Sequence, residues 1–73
     1  MDKIRILLAD DHPILREGLR AVLETQPDFE VIAEAANGIE AVRQALTMQP
    51  DILLLDLEMP QLDGVETIRR LRQ

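Results

Sequence analysis

The sequence of 73 residues contains no cysteine. A disulfide and a thiolate metal site are therefore both excluded, and the absence of thiols fits a reducing, intracellular location. At this length folding removes only roughly 60% of the unfolded chain's surface from water, so one small domain with a marginal core is expected. Its stability must come from packing, from cations held by oxygen ligands, or from self-association.

Aromatic and basic residues are also scarce. Phe29 is the only aromatic residue, which excludes the base-stacking platforms of single-strand binding proteins. Eight basic residues against fourteen acidic ones give a net charge of −6, the wrong sign for electrostatic binding to nucleic acid. No stretch approaches the ~20 apolar residues of a membrane span, and the first apolar run is too short for a signal peptide. We therefore expect a soluble, cytoplasmic protein that binds neither membranes nor DNA directly.

Apolar segments alternate along the chain with segments of helical periodicity. The apolar segments are bounded by charged or turn-forming residues and predict strands, whereas apolar residues at helical spacing predict helices. The predicted strands cover residues 3–9, 29–36 and 51–56, and the predicted helices cover 13–26, 38–48 and 63–72. This order, with short connections, predicts an α/β fold with a parallel sheet and right-handed crossovers.

Each predicted helix has a recognisable start. Pro13 suits the first turn of the first helix. Asn37 is expected to be the N-cap of the second helix, with Glu40 three residues later completing a pair similar to a capping box. Asp63 and Glu66 repeat this pattern at the start of the third helix.

Acidic residues follow two of the predicted strands. Asp10 and Asp11 follow the first strand, and Asp56 ends the apolar run 52–55, which is typical of an interior strand buried on both faces. Ligands of open parallel sheets bind outside the carboxyl ends of the strands. If the first and third strands are neighbours, we expect the three carboxylates to converge there.

Three clustered carboxylates repel one another unless a cation lies between them. Mg²⁺ suits such a group, because it binds one or two carboxylates and leaves positions for water or a phosphoryl oxygen. An ionised Asp56 beside this ion is placed to attack phosphorus, since aspartate is among the side chains that form acyl phosphates.

Simpler interpretations exist for several of these residues. Asp10 or Asp11 alone could favour a helix N-terminus through its charge, and Asp63 could be only an N-cap. His12 is expected to be a turn residue before proline and not a metal ligand or phosphodonor, because the chain has no second His or Cys to share a site. Asp56 is the least open to such an interpretation, since a carboxylate that ends an apolar strand needs a partner.

The segments LLADDHP and LLLDLEMPQLDG resemble the receiver domain of two-component response regulators. The opening ADDHPILREGL and the spacing Asp56-x-x-Met59-Pro60-x-x-Asp63-Gly64 are closest to the branch with a helix-turn-helix DNA-binding output domain. The resemblance covers the whole chain. It implies a flavodoxin-like, doubly wound sheet of order 2-1-3-4-5, of which these residues would form three strands, in the order 2-1-3, and three helices.

The resemblance also implies a role for each acidic residue. Asp56 would be the phosphoacceptor, receiving its phosphoryl group from a histidine kinase or a small phosphodonor, and would also bind Mg²⁺. Asp11 would bind Mg²⁺ directly, Asp10 largely through water, and Glu58 through its backbone carbonyl. Such a module is not an enzyme and catalyses at most its own phosphorylation. It would act on DNA only through an output domain.

The 73 residues depart from the family pattern after the third predicted helix. Receiver domains continue into two more strands, ending in a Ser or Thr and in a Lys that hold the phosphoryl group. The only lysine here is Lys3, which begins the first strand, roughly 20 Å from the acidic residues at ~3.3 Å per residue. Arg16 is a weak substitute for the missing lysine, and the simpler expectation is that Arg16 lies on the surface of the first helix. We therefore expect phosphotransfer to Asp56 to be slow or undetectable compared with a complete receiver domain.

Two other interpretations remain open. A phosphatase of the haloacid dehalogenase type also uses a strand-terminal aspartate and Mg²⁺, although Glu58 and Pro60 stand where its motif requires Asp and then Thr or Val. A receiver fragment that only folds and self-associates would form a homodimer through the third strand, whose edge a fourth strand would otherwise cover. An EF-hand is excluded, because Gln61 replaces the glycine expected at the sixth loop position from Asp56.

Overall fold

A parallel sheet organises the computed structural model of the chain, which describes residues 3–56, 69 and 72. The elements are β1 (Ile4–Ala9), α1 (Pro13–Leu23), β2 (Phe29–Ala35), α2 (Gly38–Met48) and β3 (Ile52–Leu55). The strands lie in the order β2-β1-β3, and β1 is parallel to both neighbours. The predicted α/β fold and strand order are confirmed. Apart from Arg69 and Arg72, the third predicted helix lies outside the described residues.

The central strand β1 forms the core. It has a strand on each side and a helix packed against each face, so its side chains are buried on both faces. Ile6, Leu7 and Leu8 are each no more than 1% exposed. Lys3 is exposed and precedes β1. The only lysine therefore lies at the end of the strand opposite the carboxylates.

A β-bulge in β2 determines which helix each later side chain faces. The pairing of β2 with β1 shifts by one position between Ile6 and Leu7, which makes Ile32 the extra residue. Beyond this residue, Ala35 packs into a buried alanine cluster with α2. Glu34 lies on the opposite face, where its carboxylate accepts hydrogen bonds from Arg16 and Arg20 of α1.

The helix α1 covers its face of the sheet loosely. It begins at Pro13 as predicted, but none of its residues is buried, and Ile14 is 86% exposed. The apolar residues whose helical spacing predicted α1 therefore lie partly in solvent. The helix ends at Leu23, three residues before the predicted end at residue 26, because the Thr25 hydroxyl donates to the Val22 carbonyl at 2.6 Å and helps to turn the chain.

The helix α2 has the predicted N-cap. The Asn37 side chain accepts a hydrogen bond from the Glu40 N–H at 2.8 Å, which satisfies one of the free donors of the first turn. Ala41 is fully buried and packs against Ala9 and Ala35 of the sheet. In the part of the chain that is described, neither helix has the length and apolar character needed to cross a bilayer.

Arg5 fastens the C-terminus of α2 to the sheet. Its Nη1 donates to the Gln49 carbonyl at 2.9 Å and its Nη2 to the Met48 carbonyl at 2.8 Å. A cation here also interacts favourably with the negative end of the helix dipole. The backbone N–H of Arg5 donates to Asp51 Oδ2 at 2.8 Å. These bonds hold the α2–β3 connection at the end of the sheet away from the carboxylates.

Gln49 adopts a left-handed conformation after α2, with φ 48° and ψ 63°. A residue with a Cβ pays roughly 1–2 kcal/mol for this conformation, whereas glycine adopts it freely but loses more entropy on folding. We expect Gln49→Gly to raise the free energy of unfolding by about 0.5–1 kcal/mol, because both Arg5 bonds reach backbone carbonyls and remain.

Urea denaturation measures this effect. The matched control is Gln44→Gly within α2, where glycine is expected to lower the free energy of unfolding by about 1 kcal/mol. A loss of stability in both variants would mean that the Gln49 side chain contributes more than its backbone strain costs.

Candidate functional site

Asp10, Asp11 and Asp56 converge at the carboxyl ends of β1 and β3. The last residues of these strands are paired, and the pairing continues through the Asp56 N–H, which donates to the Ala9 carbonyl at 2.9 Å. One carboxylate oxygen from each aspartate lies within 4.8 Å of the others and of a His12 ring nitrogen. The predicted convergence of the three carboxylates is confirmed.

Asp10 is the buried member of the group, with 5% of its surface exposed. Its Oδ1 accepts a hydrogen bond from the His12 N–H at 2.8 Å, and its backbone carbonyl accepts one from Arg16 Nη1 at 2.6 Å. The Asp10 N–H donates to the Ala35 carbonyl at 3.0 Å. Asp10 therefore also organises the entry to α1, in agreement with the simpler interpretation of this residue.

Asp11 carries the atom that most clearly calls for a further partner. Its Oδ1 is buried and accepts no hydrogen bond, although it lies 2.9 Å from His12 Nδ1. A buried carboxylate oxygen without a hydrogen bond is costly, and a cation would supply the missing partner. Carboxylate oxygens are the ligands that Mg²⁺ prefers. The residues present therefore fit a divalent cation.

His12 also belongs to this group, which was not predicted from the sequence. It precedes α1 as its N-cap residue, in the expected turn, but its Nδ1 lies 3.0 Å from Asp10 Oδ1 and 3.7 Å from Asp56 Oδ2. The hydrogen bond to Asp10, followed by the negative charge of Asp11, raises the pKa of the His12 imidazole above its ordinary value. The available signal was its place directly after two aspartates in one turn.

Arg16 is not the surface residue that the sequence led us to expect. Its side chain is 20% exposed, and its Nε donates to Glu34 Oε1 at 2.9 Å while Nη1 holds the Asp10 carbonyl. Glu34 also accepts a bond from Arg20 Nη1 at 2.7 Å. The charge of Arg16 is thus paired with Glu34, and its role in the structure is to support Asp10.

The carboxylates lie at one end of an open cavity of about 520 Å³ between α1 and the sheet. Asp10, His12 and Asp56 line this end, and the rest of the lining is apolar, with Leu8, Ala9, Leu15, Leu19, Leu54 and Leu55. The Asp56 side chain is 25% exposed, so it can be reached from solvent. The predicted carbonyl ligand Glu58 and the predicted N-cap Asp63 lie outside the described residues.

The model of the response regulator receiver domain family matches residues 6–73. The chain belongs to this family. The receiver domain had been predicted from its two acidic segments, and that prediction is confirmed.

Similar proteins place this receiver segment in longer chains. LiaR of Bacillus subtilis, a transcriptional regulatory protein, is 52% identical over 68 residues, which make up 93% of this chain and 32% of that protein. A protein-glutamate methylesterase/protein-glutamine glutaminase of Carboxydothermus hydrogenoformans is 48% identical over 94% of this chain and 20% of that protein. The chain thus spans about a third of the first relative's length and a fifth of the second's.

A solved structure that resembles this chain also belongs to a response regulator. A two-component response regulator of the LuxR family from Aurantimonas sp. superimposes with a TM-score of 0.93 at 46% identity, over 99% of this chain and 51% of that chain. The two regulators agree with the branch predicted from the sequence. The methylesterase shows that similarity in the receiver segment does not by itself determine the activity of the remaining domain.

Proposed function

We propose that the chain is the phosphoacceptor module of a cytoplasmic two-component response regulator, in which Asp56 accepts a phosphoryl group from a histidine kinase or a small phosphodonor. Asp10, Asp11, Asp56 and the backbone carbonyl of Glu58 would hold Mg²⁺, with Asp10 acting largely through water. The proposal is carried by the convergence of three carboxylates at two paired strand ends in a member of the receiver family.

Asp56 is the residue placed to attack phosphorus. One of its carboxylate oxygens would bond to phosphorus while the bond from phosphorus to the donor breaks, and the donor would leave with that electron pair. The product is an acyl phosphate on Asp56. When bound, Mg²⁺ would offset the negative charges of the carboxylates and the phosphoryl oxygens. The hydrogen bond from the Asp56 N–H to β1 fixes the backbone of the nucleophile during this step.

We further propose that these 73 residues accept the phosphoryl group slowly on their own. Lys3 lies at the far end of β1, and the Arg16 guanidinium is paired with Glu34. Neither residue is therefore available to neutralise the charge that develops on the phosphoryl oxygens. Removing one such preorganised donor from an active site commonly costs ~10²–10³ in rate.

Intact mass after incubation with Mg²⁺ and a small phosphodonor tests the proposal. We expect the slow addition of a single phosphoryl group to the wild type and none to Asp56→Asn. Asp51→Asn is the matched control, because Asp51 precedes the other end of β3 and asparagine can still accept the bond from the Arg5 N–H.

Three results would contradict parts of this account. A phosphoryl group on Asp56→Asn would place the acceptor elsewhere. Transfer at the rate of a complete receiver domain would mean that another group supplies the positive charge. Continuous release of phosphate without a retained phosphoryl group would favour the phosphatase interpretation over a module that catalyses at most its own phosphorylation.

We also propose that these 73 residues alone form a homodimer through the outer edge of β3. Among the described residues no strand pairs with this edge, and Ile52 and Leu54 are 40% and 38% exposed. An apolar strand edge of this kind favours pairing with a second copy. Antiparallel pairing about a two-fold axis would join the two sheets.

Sedimentation equilibrium of the 73-residue chain tests this pairing. We expect a dimer in the wild type and a monomer in Leu54→Lys, because charged residues protect strand edges from association. Leu46→Lys introduces the same charge at an exposed position on α2, where Leu46 is 63% exposed, and should leave the dimer intact. Equal association of all three proteins would exclude the β3 edge as the interface.

A further inference from the structure

The His12 ring nitrogen lies where an additional metal ligand would lie. Its Nδ1 is 3.0 Å from Asp10 Oδ1, 2.9 Å from Asp11 Oδ1 and 3.7 Å from Asp56 Oδ2. Adjacent ligands of an octahedral ion with bonds of about 2.1 Å are about 3.0 Å apart. The distance to Asp11, a proposed direct ligand, matches this spacing, whereas Asp10 is proposed to act largely through water. A small movement of Asp56 or of the ring would bring the distance to Asp56 into range.

We propose that His12 Nδ1 is a nitrogen ligand of the cation site and makes it selective for borderline transition cations such as Zn²⁺ and Co²⁺. This inference rests on the proposed role of the carboxylates as cation ligands. Mg²⁺ prefers an all-oxygen environment and gains little from imidazole, whereas Zn²⁺ and Co²⁺ bind imidazole readily. Removal of the ring should therefore change the preference among cations more than it changes Mg²⁺ binding.

The backbone of His12 is held in a way that supports a ligand. Its N–H donates to Asp10 Oδ1 at 2.8 Å, and its carbonyl accepts a bond from the Arg16 N–H at 2.8 Å. The residue is thus fixed on both sides at the start of α1, while its side chain is 66% exposed. An incoming cation could therefore reach the ring without disturbing the core.

The chain contains one imidazole and no thiol, so an effect of a nitrogen ligand on cation binding can be assigned to one residue. His12 is the only histidine, and there is no cysteine. Any imidazole bound to a cation must therefore belong to His12, and no thiolate can imitate its effect. Asparagine is the appropriate replacement, because it is a favoured N-cap residue and should preserve the start of α1.

Calorimetric titration of the wild type and His12→Asn with MgCl₂ and with ZnCl₂, at mildly alkaline pH, measures the selectivity. We expect His12→Asn to bind Zn²⁺ at least tenfold more weakly while its Mg²⁺ affinity stays within about twofold of the wild type. Nitrogen NMR of the ¹⁵N-labelled wild type provides a direct check. Zn²⁺ should shift the Nδ1 resonance strongly and the Nε2 resonance much less.

Other results would overturn the inference. Unchanged Zn²⁺ affinity in His12→Asn, or no shift at Nδ1, would exclude the ring as a ligand. An equal gain of Zn²⁺ and Mg²⁺ affinity in His12→Asn would mean that the imidazole competes with cations. If the wild type fails to bind Mg²⁺, the proposed carboxylate site itself is wrong. Normal Mg²⁺ binding without a His12-dependent preference for Zn²⁺ would refute only the nitrogen ligand.

Discussion

Asp11→Asn is expected to weaken Mg²⁺ binding tenfold or more. Asp11 carries the buried carboxylate oxygen that accepts no hydrogen bond, although the His12 ring lies beside it, and a divalent cation would supply a further partner. The substitution keeps the shape of the side chain but removes its charge and one anionic ligand. Changes to groups that merely support metal ligands cost ~10–100-fold in affinity, so the loss of a direct ligand should cost at least as much.

Calorimetric titration with MgCl₂ measures the loss. Asp28→Asn is the matched control, because Asp28 is an exposed aspartate between α1 and β2 and its replacement changes the net charge equally. In the absence of Mg²⁺, Asp11→Asn should fold as well as the wild type or better, since like charges at the site are reduced. Equal Mg²⁺ affinity in Asp11→Asn and the wild type would remove Asp11 from the site.

Leu7→Ala is expected to lower the free energy of unfolding by about 2–5 kcal/mol. Leu7 has no exposed surface in the middle of the central strand, and truncation there loses apolar burial and leaves a cavity. Whole domains are stable by only ~5–15 kcal/mol, and small ones lie near the lower end. A large part of the variant should therefore be unfolded at room temperature.

Urea denaturation followed by circular dichroism measures this difference. The matched control is Leu46→Ala, which removes the same atoms from a side chain that is 63% exposed, and its effect should stay within about 0.5 kcal/mol. If the two variants lose similar stability, the core is not centred on β1 as the burial of its side chains indicates.

The parts of the fold that were predicted depend on short-range patterns. The apolar run of β1, the proline at the start of α1 and the Asn37 cap each express a local preference that the tertiary structure agrees with. The convergence of Asp10 with Asp56 was also predictable, because it requires only that two parallel strands be neighbours and end at the same edge.

The parts that were not predicted depend on the geometry of one turn and on contacts between distant segments. The position of His12 among the carboxylates follows from the tight turn after β1, and the pairing of Arg16 follows from the face on which Glu34 lies. The low burial of α1 follows from how little of the sheet it covers. Helical spacing of apolar residues predicts which side of a helix is apolar, but not how much of that side is covered.

The extra residue in β2 determines which side chains of that strand face α1 and which face α2. Since side chains alternate along a strand, Ile32 sets Ala35 against α2 and Glu34 beside Arg16. If all residues of β2 paired with β1 without this bulge, Leu7 would lie opposite Ile32 and Ala9 opposite Glu34, so each later side chain would face the other helix. A carboxylate would then enter the alanine cluster, and Arg16, which holds the Asp10 carbonyl, would lose its partner. Deletion of Ile32 would not have this effect, because Ala33 and the residues after it would keep their partners in β1. The candidate site therefore depends on the pairing of Ala35 with Ala9 and not on the length of β2.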